Sequence, residues 1–178
     1  MRLEPLYRLT FRYTEEWGVG IGDDTDNAPA GAYFFIAEGR SSGGVVGRFR
    51  AANHPQRRAD GTFVPDLQGI IDTDDGATII LDMRGYGRAY PVGARQVVVA
   101  VTHVSDHPQY TRLNDSLSVG CGVVRRLSDD DTELVVDVSE LIWDMEHAYA
   151  LHAATLSFVS RIRPAEFVCR HSTPCRRR

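Results

Sequence analysis

The stretch Gln68-Gly-Ile-Ile-Asp-Thr-Asp-Asp-Gly-Ala-Thr-Ile-Ile-Leu-Asp82 sets two β-branched runs on either side of an Asp-Gly pair. Branched side chains favour the pleated backbone. Asp75-Gly76 tolerates the left-handed conformation that a tight hairpin turn demands. The stretch therefore predicts strands over residues 63–72 and 77–86, joined at Asp74-Asp75-Gly76.

The same period of two extends in both directions. Residues 5–14 place Tyr7, Leu9, Phe11 and Tyr13 on one face, giving a first strand with an aromatic-rich inner side. Further strands are expected over 32–37, 45–51, 95–105, 117–127 and 133–138. Between them, residues 18–31 are rich in glycine and Asp and read as loop, 39–44 as a turn, and 53–60 as a polar connection. Short strands separated by turn signals indicate an all-β antiparallel sandwich or barrel. The pattern changes after residue 138. Leu141, Met145, Ala148, Tyr149, Leu156 and Val159 form a helical stripe over 139–163, with Asp137 or Ser139 as cap and Pro164 as stop. Residues 1–138 thus read as one β-domain, 139–163 as a carboxy-terminal helix packed on or beside it, and 164–178 as a frayed tail.

Composition limits the function classes. The chain has 178 residues, 43% hydrophobic and 25% charged, which suits one globular domain. Its net charge of −4 argues against a nucleic-acid surface. No apolar run reaches the roughly 18 residues of a membrane span, and no secretory leader opens the chain, so a cytoplasmic location is expected. All 20 basic residues are arginine, which excludes lysine Schiff-base chemistry. Cys121 sits in an alternating segment and is expected to be a buried, inert thiol; Cys169 and Cys175 lie in the tail.

Several motifs resemble one known family. Thr73-Asp74-Asp75-Gly76-Ala77, Asp60-Gly61 and Tyr110-Thr-Arg-Leu-Asn114, with Asp66, the turns near Gly43 and Gly47, and residues 85–88, resemble the microbial β-barrel family known as domain of unknown function 3237. The resemblance covers residues 3–140. It implies a closed antiparallel β-barrel of about eight strands that assembles as a homo-oligomer, and it brings no established substrate or catalytic residue. The chain departs from the family pattern at three places. Asn53-His54 stands where the family carries Asp-Trp, Gln68 where it carries Arg, and Arg112 where it carries Trp.

Those departures supply the candidate site. His54 titrates near neutrality and lies in a loop, so it can act as general base, with Asp60 or Asp66 orienting it and Asn53 donating to a developing oxyanion. Tyr110, Arg112 and Asn114 can clamp a carboxylate or enolate in a barrel mouth, Tyr110 as proton donor and Arg112 as catalytic cation. The alternatives are plain: a solvated loop histidine, an arginine stem covering apolar surface, a tyrosine packed in the wall. Gln68 joins the ligand-binding set if these positions share a pocket. Asp74-Asp75 reads more simply as turn chemistry than as a carboxylate pair. His103, Asp106 and His107 end a strand before Pro108, the wrong geometry for a metal, and glycines 18–22 lack the context of a phosphate loop. Neither metal nor cofactor is expected.

Three functions fit such a barrel. One is a cofactor-independent isomerase or cyclase acting on a small carbonyl-containing metabolite. Another is a carrier whose pocket is lined by Tyr7, Phe11, Tyr33 and Phe35. The third is an oligomeric structural barrel.

Overall fold

The computed structural model describes residues 1–20, 31–90, 94–127 and 132–143. All the described strands lie within one unit, Arg2–Ile142. They are β1 (Arg2–Gly20), β2 (Gly31–Gly43), β3 (Gly47–Asn53), β4 (Gln56–Arg57), β5 (Phe63–Val64), β6 (Asp66–Thr73), β7 (Thr78–Tyr90), β8 (Ala94–Val104), β9 (Ser118–Arg126) and β10 (Thr132–Ile142).

Eight of these form a closed antiparallel barrel in the ring order β1-β2-β3-β6-β7-β8-β9-β10, with β10 returning to β1. Closure satisfies every strand edge, so no long row of backbone donors is left open. The two-residue strands β4 and β5 pair with each other and bridge β2 to β7 at one end.

The expected alternation decides what fills the interior. Leu9, Phe11, Phe49, Ile71, Ile79, Leu81, Val101 and Val138 point inward and are almost wholly buried. Phe11 and Phe49 meet at 5.1 Å between ring centroids. Such layers make the middle of the barrel a packed core, not a channel. Outward positions carry ion pairs such as Arg48–Glu38 and Arg50–Asp72.

The central hairpin forms as the sequence predicts. Asp66↔Arg84 through Asp72↔Thr78 pair in register, and Gly76 takes a φ of 88°, open only to glycine or a few polar residues. Asp74 and Asp75 are turn residues. Asp74 meets Arg40 at 3.0 Å, and Asp75 accepts from the Thr73 and Tyr110 hydroxyls.

Several boundaries move. β2 continues through the expected turn to Gly43, because Gly39 lets β1 pass unusually close. A Cβ at residue 39 would collide with the Thr10 carbonyl oxygen. The carboxy-terminal helix does not begin at Ser139. Ser139 pairs with Pro5 and Val119, and the strand runs on to Ile142. Asp137, expected as a cap, instead accepts two hydrogen bonds from Arg8 at 2.6 and 2.9 Å. The expected helix after Trp143 and the tail over 164–178 lie outside the described residues. Cys121 is exposed rather than buried, since the inward places on β9 are held by Ser118 and Gly120.

Candidate functional site

Among the described residues the barrel is filled at its centre and open at one end. There the last residues of β3, the start of β8, the β4–β5 hairpin and the second half of β1 enclose a cavity of about 390 Å³. One wall is apolar and flat. Tyr13 stacks on Phe35 at 4.5 Å, and Phe35 lies parallel to Tyr33 at 6.1 Å. Val97, Val124 and Leu134 form the floor.

The polar groups converge from different strands. β1 carries Tyr13 one alternation beyond the core residue Phe11, so its ring leaves the packed interior and its hydroxyl reaches the cavity. Asn53 ends β3 only 3% exposed, which obliges its amide to find partners. Its Oδ1 accepts the Asp66 backbone N–H at 3.1 Å, and its Nδ2 donates to the Tyr13 hydroxyl at 2.8 Å. The first bond fixes the orientation of the amide. Tyr13 must therefore accept from Asn53, and its own hydrogen has no acceptor among the described residues. It is available to a ligand. Burial raises the Tyr13 pKa, against smaller opposing effects of Asn53 and the nearby Arg95 charge. The phenol stays protonated at neutral pH and acts as a donor.

Arg95 completes the donor set. It occupies the inward parity of β8, in line with Val97, Val99 and Val101, and its guanidinium carbon sits 3.9 Å from the Phe63 ring centroid. Burial, and then the Arg57 charge, pull its pKa down. Glu16, on the exposed rim, brings a carboxylate to the same cavity. The site thus offers two hydrogen-bond donors, a carboxylate and aromatic walls, which is the equipment for binding a small molecule around an oxygen-centred negative charge.

The structure separates the residues expected from sequence. Of them only Asn53 lines the cavity. His54 is exposed, donates its backbone N–H to the Asp66 carbonyl at 2.9 Å, and packs its ring edge-on against Phe34 at 4.5 Å. Asp60 accepts from the Thr62 N–H at 3.0 Å, a turn contact that holds its carboxyl below the ordinary range. Asp66 pairs with Arg84 at 3.2 Å, and Gln68 reaches Asp82 at 3.4 Å on the outer wall. Neither the Asp60 nor the Asp66 carboxylate hydrogen-bonds to the His54 ring.

Tyr110, Arg112 and Asn114 lie at the opposite end, in and beside a short 3-10 helix, Thr111–Asp115. Tyr110 donates to Asp75 at 2.8 Å, Arg112 pairs with Glu140 at 2.7 Å, and Asn114 bonds both the N–H and the carbonyl of Ser105. These are fastenings of the hairpin and the connecting loop. They cannot share a substrate with His54, which belongs to the other end.

Tyr13, Arg95 and Phe63 escaped the motif reading because no short motif contains them. The signal was parity: an arginine in register with inward valines, and a tyrosine continuing a buried aromatic alternation.

Fold and site define a small closed antiparallel barrel with a ligand-sized cavity at one end of the described residues. No protein-family model matches the chain, and no curated protein is significantly similar to it. Solved structures share the fold. A β-barrel-like protein from Acinetobacter baumannii AYE superposes with a TM-score of 0.66 at 21% identity, covering 79% of this chain and 96% of that one. A conserved protein of unknown function from Rhodopseudomonas palustris gives 0.64 at 19% identity, covering 79% and 97%. An enzyme from Penicillium herquei gives 0.52 at 21% identity, covering 77% and 93%. At these identities the likeness establishes the architecture alone.

Proposed function

We propose that this barrel binds a small carbonyl-containing metabolite in its mouth and acts on it as a cofactor-independent isomerase or cyclase. The observation that carries the reading is the Asn53–Tyr13 hydrogen bond, which turns the buried phenol into a donor aimed at the cavity. A ligand carbonyl between the Tyr13 hydroxyl and the Arg95 guanidinium would be polarised. Glu16 takes a proton from the adjacent carbon, the enolate oxygen gains both hydrogen bonds, and the proton is returned at another position. In a cyclase the enolate carbon adds to a second carbonyl of the same molecule, whose C=O π bond opens to an alkoxide that takes the proton back from Glu16.

The motifs shared with the microbial family of unknown function 3237 belong to this reading, as does a homo-oligomeric, water-facing barrel. The ion pairs along the outer wall support the water-facing part, since a barrel spanning lipid carries an apolar band there.

The test is deuterium exchange at the α-carbon of 2-tetralone in D2O, followed by NMR. The wild-type protein should accelerate exchange, and Tyr13→Phe should lose about a hundredfold of that acceleration, the usual effect of removing one oxyanion donor. Saturable binding of 2-tetralone with no acceleration would favour the carrier instead. The stack of Tyr13 on Phe35, backed by Tyr33, is the feature that would serve it.

A further inference from the structure

Phe63 lies beneath two cations from separate elements. Arg95 of β8 is 3.9 Å from its ring centroid, and Arg57 of β4 is 5.6 Å from it. Neither arginine has a carboxylate partner among the described residues, whereas most others, such as Arg8, Arg40, Arg48, Arg50, Arg84 and Arg112, are paired. The Arg57 Nε is also buried, with no hydrogen-bond acceptor among the described residues. Two unpaired guanidiniums held near one another repel, and a buried N–H without an acceptor carries an uncompensated desolvation cost. A fold retains such an arrangement where an anion relieves both costs.

From this we infer that an oxyanion subsite built by Arg57 and Arg95 around Phe63 adjoins the mouth, and that the natural ligand is a flat, ring-containing carboxylate. The forked guanidinium matches the two oxygens of a carboxylate. Phe63 joins this charged corner to the aromatic wall, since its ring also contacts Tyr33 at 5.9 Å. The carboxylate anchors on the arginines while the ring lies along Tyr13, Phe35 and Tyr33. This inference deepens the mouth reading and rests on it.

The experiment is calorimetric titration of the full chain with naphthalene-2-carboxylate and with naphthalene-2-carboxamide, a neutral compound of nearly the same shape. The carboxylate should bind about tenfold more tightly or better, as a charge-assisted bond requires. The preference should fall as salt is raised, and should shrink to about unity in Arg57→Gln. Equal affinity of the two compounds for the wild-type chain overturns the oxyanion subsite while leaving the mouth as a ligand site. Absence of binding by both, together with no exchange of 2-tetralone, overturns the mouth reading and the subsite with it. The wild-type comparison needs no variant, so poor folding of Arg57→Gln cannot decide the result.

Discussion

The Nδ2 of Asn53 donates to the Tyr13 hydroxyl at 2.8 Å while its Oδ1 holds the Asp66 backbone N–H at 3.1 Å. One buried amide therefore joins the start of β6, the end of β3 and the cavity face of β1. The bond does two jobs: it ties strands together at the open end, and it commits Tyr13 to donating its own proton outward. Asn53→Leu keeps the size and loses both bonds, leaving a buried N–H unsatisfied. Unfolding by urea should show a loss of about 2 kcal/mol. An unchanged midpoint would mean the amide is not a structural link.

Tyr13→Phe separates the two jobs. It removes the donor and leaves the Asn53–Asp66 bond intact, so the stability loss should be only about 1 kcal/mol. The hundredfold loss of exchange should remain. A variant equally impaired in stability and exchange would reduce Tyr13 to a packing residue.

Tyr110 should behave in the reverse way. Its hydroxyl holds Asp75 at 2.8 Å at the closed end, and the hydrogen bonds from Thr73 and Tyr110 keep the Asp75 carboxyl below its ordinary range. Tyr110→Phe should lower the thermal midpoint by several degrees, on the scale of about 1 kcal/mol for one hydrogen bond. Binding of naphthalene-2-carboxylate at the mouth should not change. Loss of binding in a folded Tyr110→Phe protein would return this residue to the site.

His103 gives the barrel an acid limit. It is 2% exposed, its Nε2 meets the Tyr7 hydroxyl at 2.7 Å, and its Nδ1 has no hydrogen-bond partner among the described residues. Burial lowers its pKa from 6.5 to about 4, against the weaker pull of the Glu140 charge. The unfolded chain takes up a proton near pH 6.5 while the native chain stays neutral. Stability is therefore full above pH 6.5 and falls between 6.5 and about 4, by on the order of 3 kcal/mol. Denaturation midpoints in this window should drop less steeply in His103→Gln, which cannot titrate. Identical slopes in the two proteins would contradict the assignment.

Much of the architecture was written as local pattern. The Asp75-Gly76 turn and the inward Tyr7, Leu9 and Phe11 were visible because period two and turn chemistry act over a few residues. The strand through Gly39 was hidden because glycine there serves a close approach of β1, not a turn. The strand over Ser139–Ile142 was hidden because its pairing with β1 outweighs a helical spacing of apolar residues. Gly39→Ala tests this directly. Its Cβ would meet backbone that cannot move aside, and the soluble yield of folded protein should collapse. A normally stable variant would show that β1 and β2 can separate.

The site was less legible than the fold. His54, Arg112 and Tyr110 attracted attention as chemically able residues in loops or departures from a motif, yet the strands carry them to opposite ends or to the surface. Tyr13, Phe63 and Arg95 come to one cavity only once the ring of strands closes, across fifty residues of sequence between Tyr13 and Phe63 and more than thirty more to Arg95. Only parity hinted at their faces.

The most direct test of the mouth reading is a crystal structure of the wild-type protein soaked with 2-tetralone. Its ring should lie along Tyr13 and Phe35, with the ketone oxygen in hydrogen-bond reach of the Tyr13 hydroxyl and Arg95, about 2.6–3.2 Å away. Density for the ketone only on the outer wall of the barrel, or an empty mouth at saturating concentration, would contradict the mouth reading.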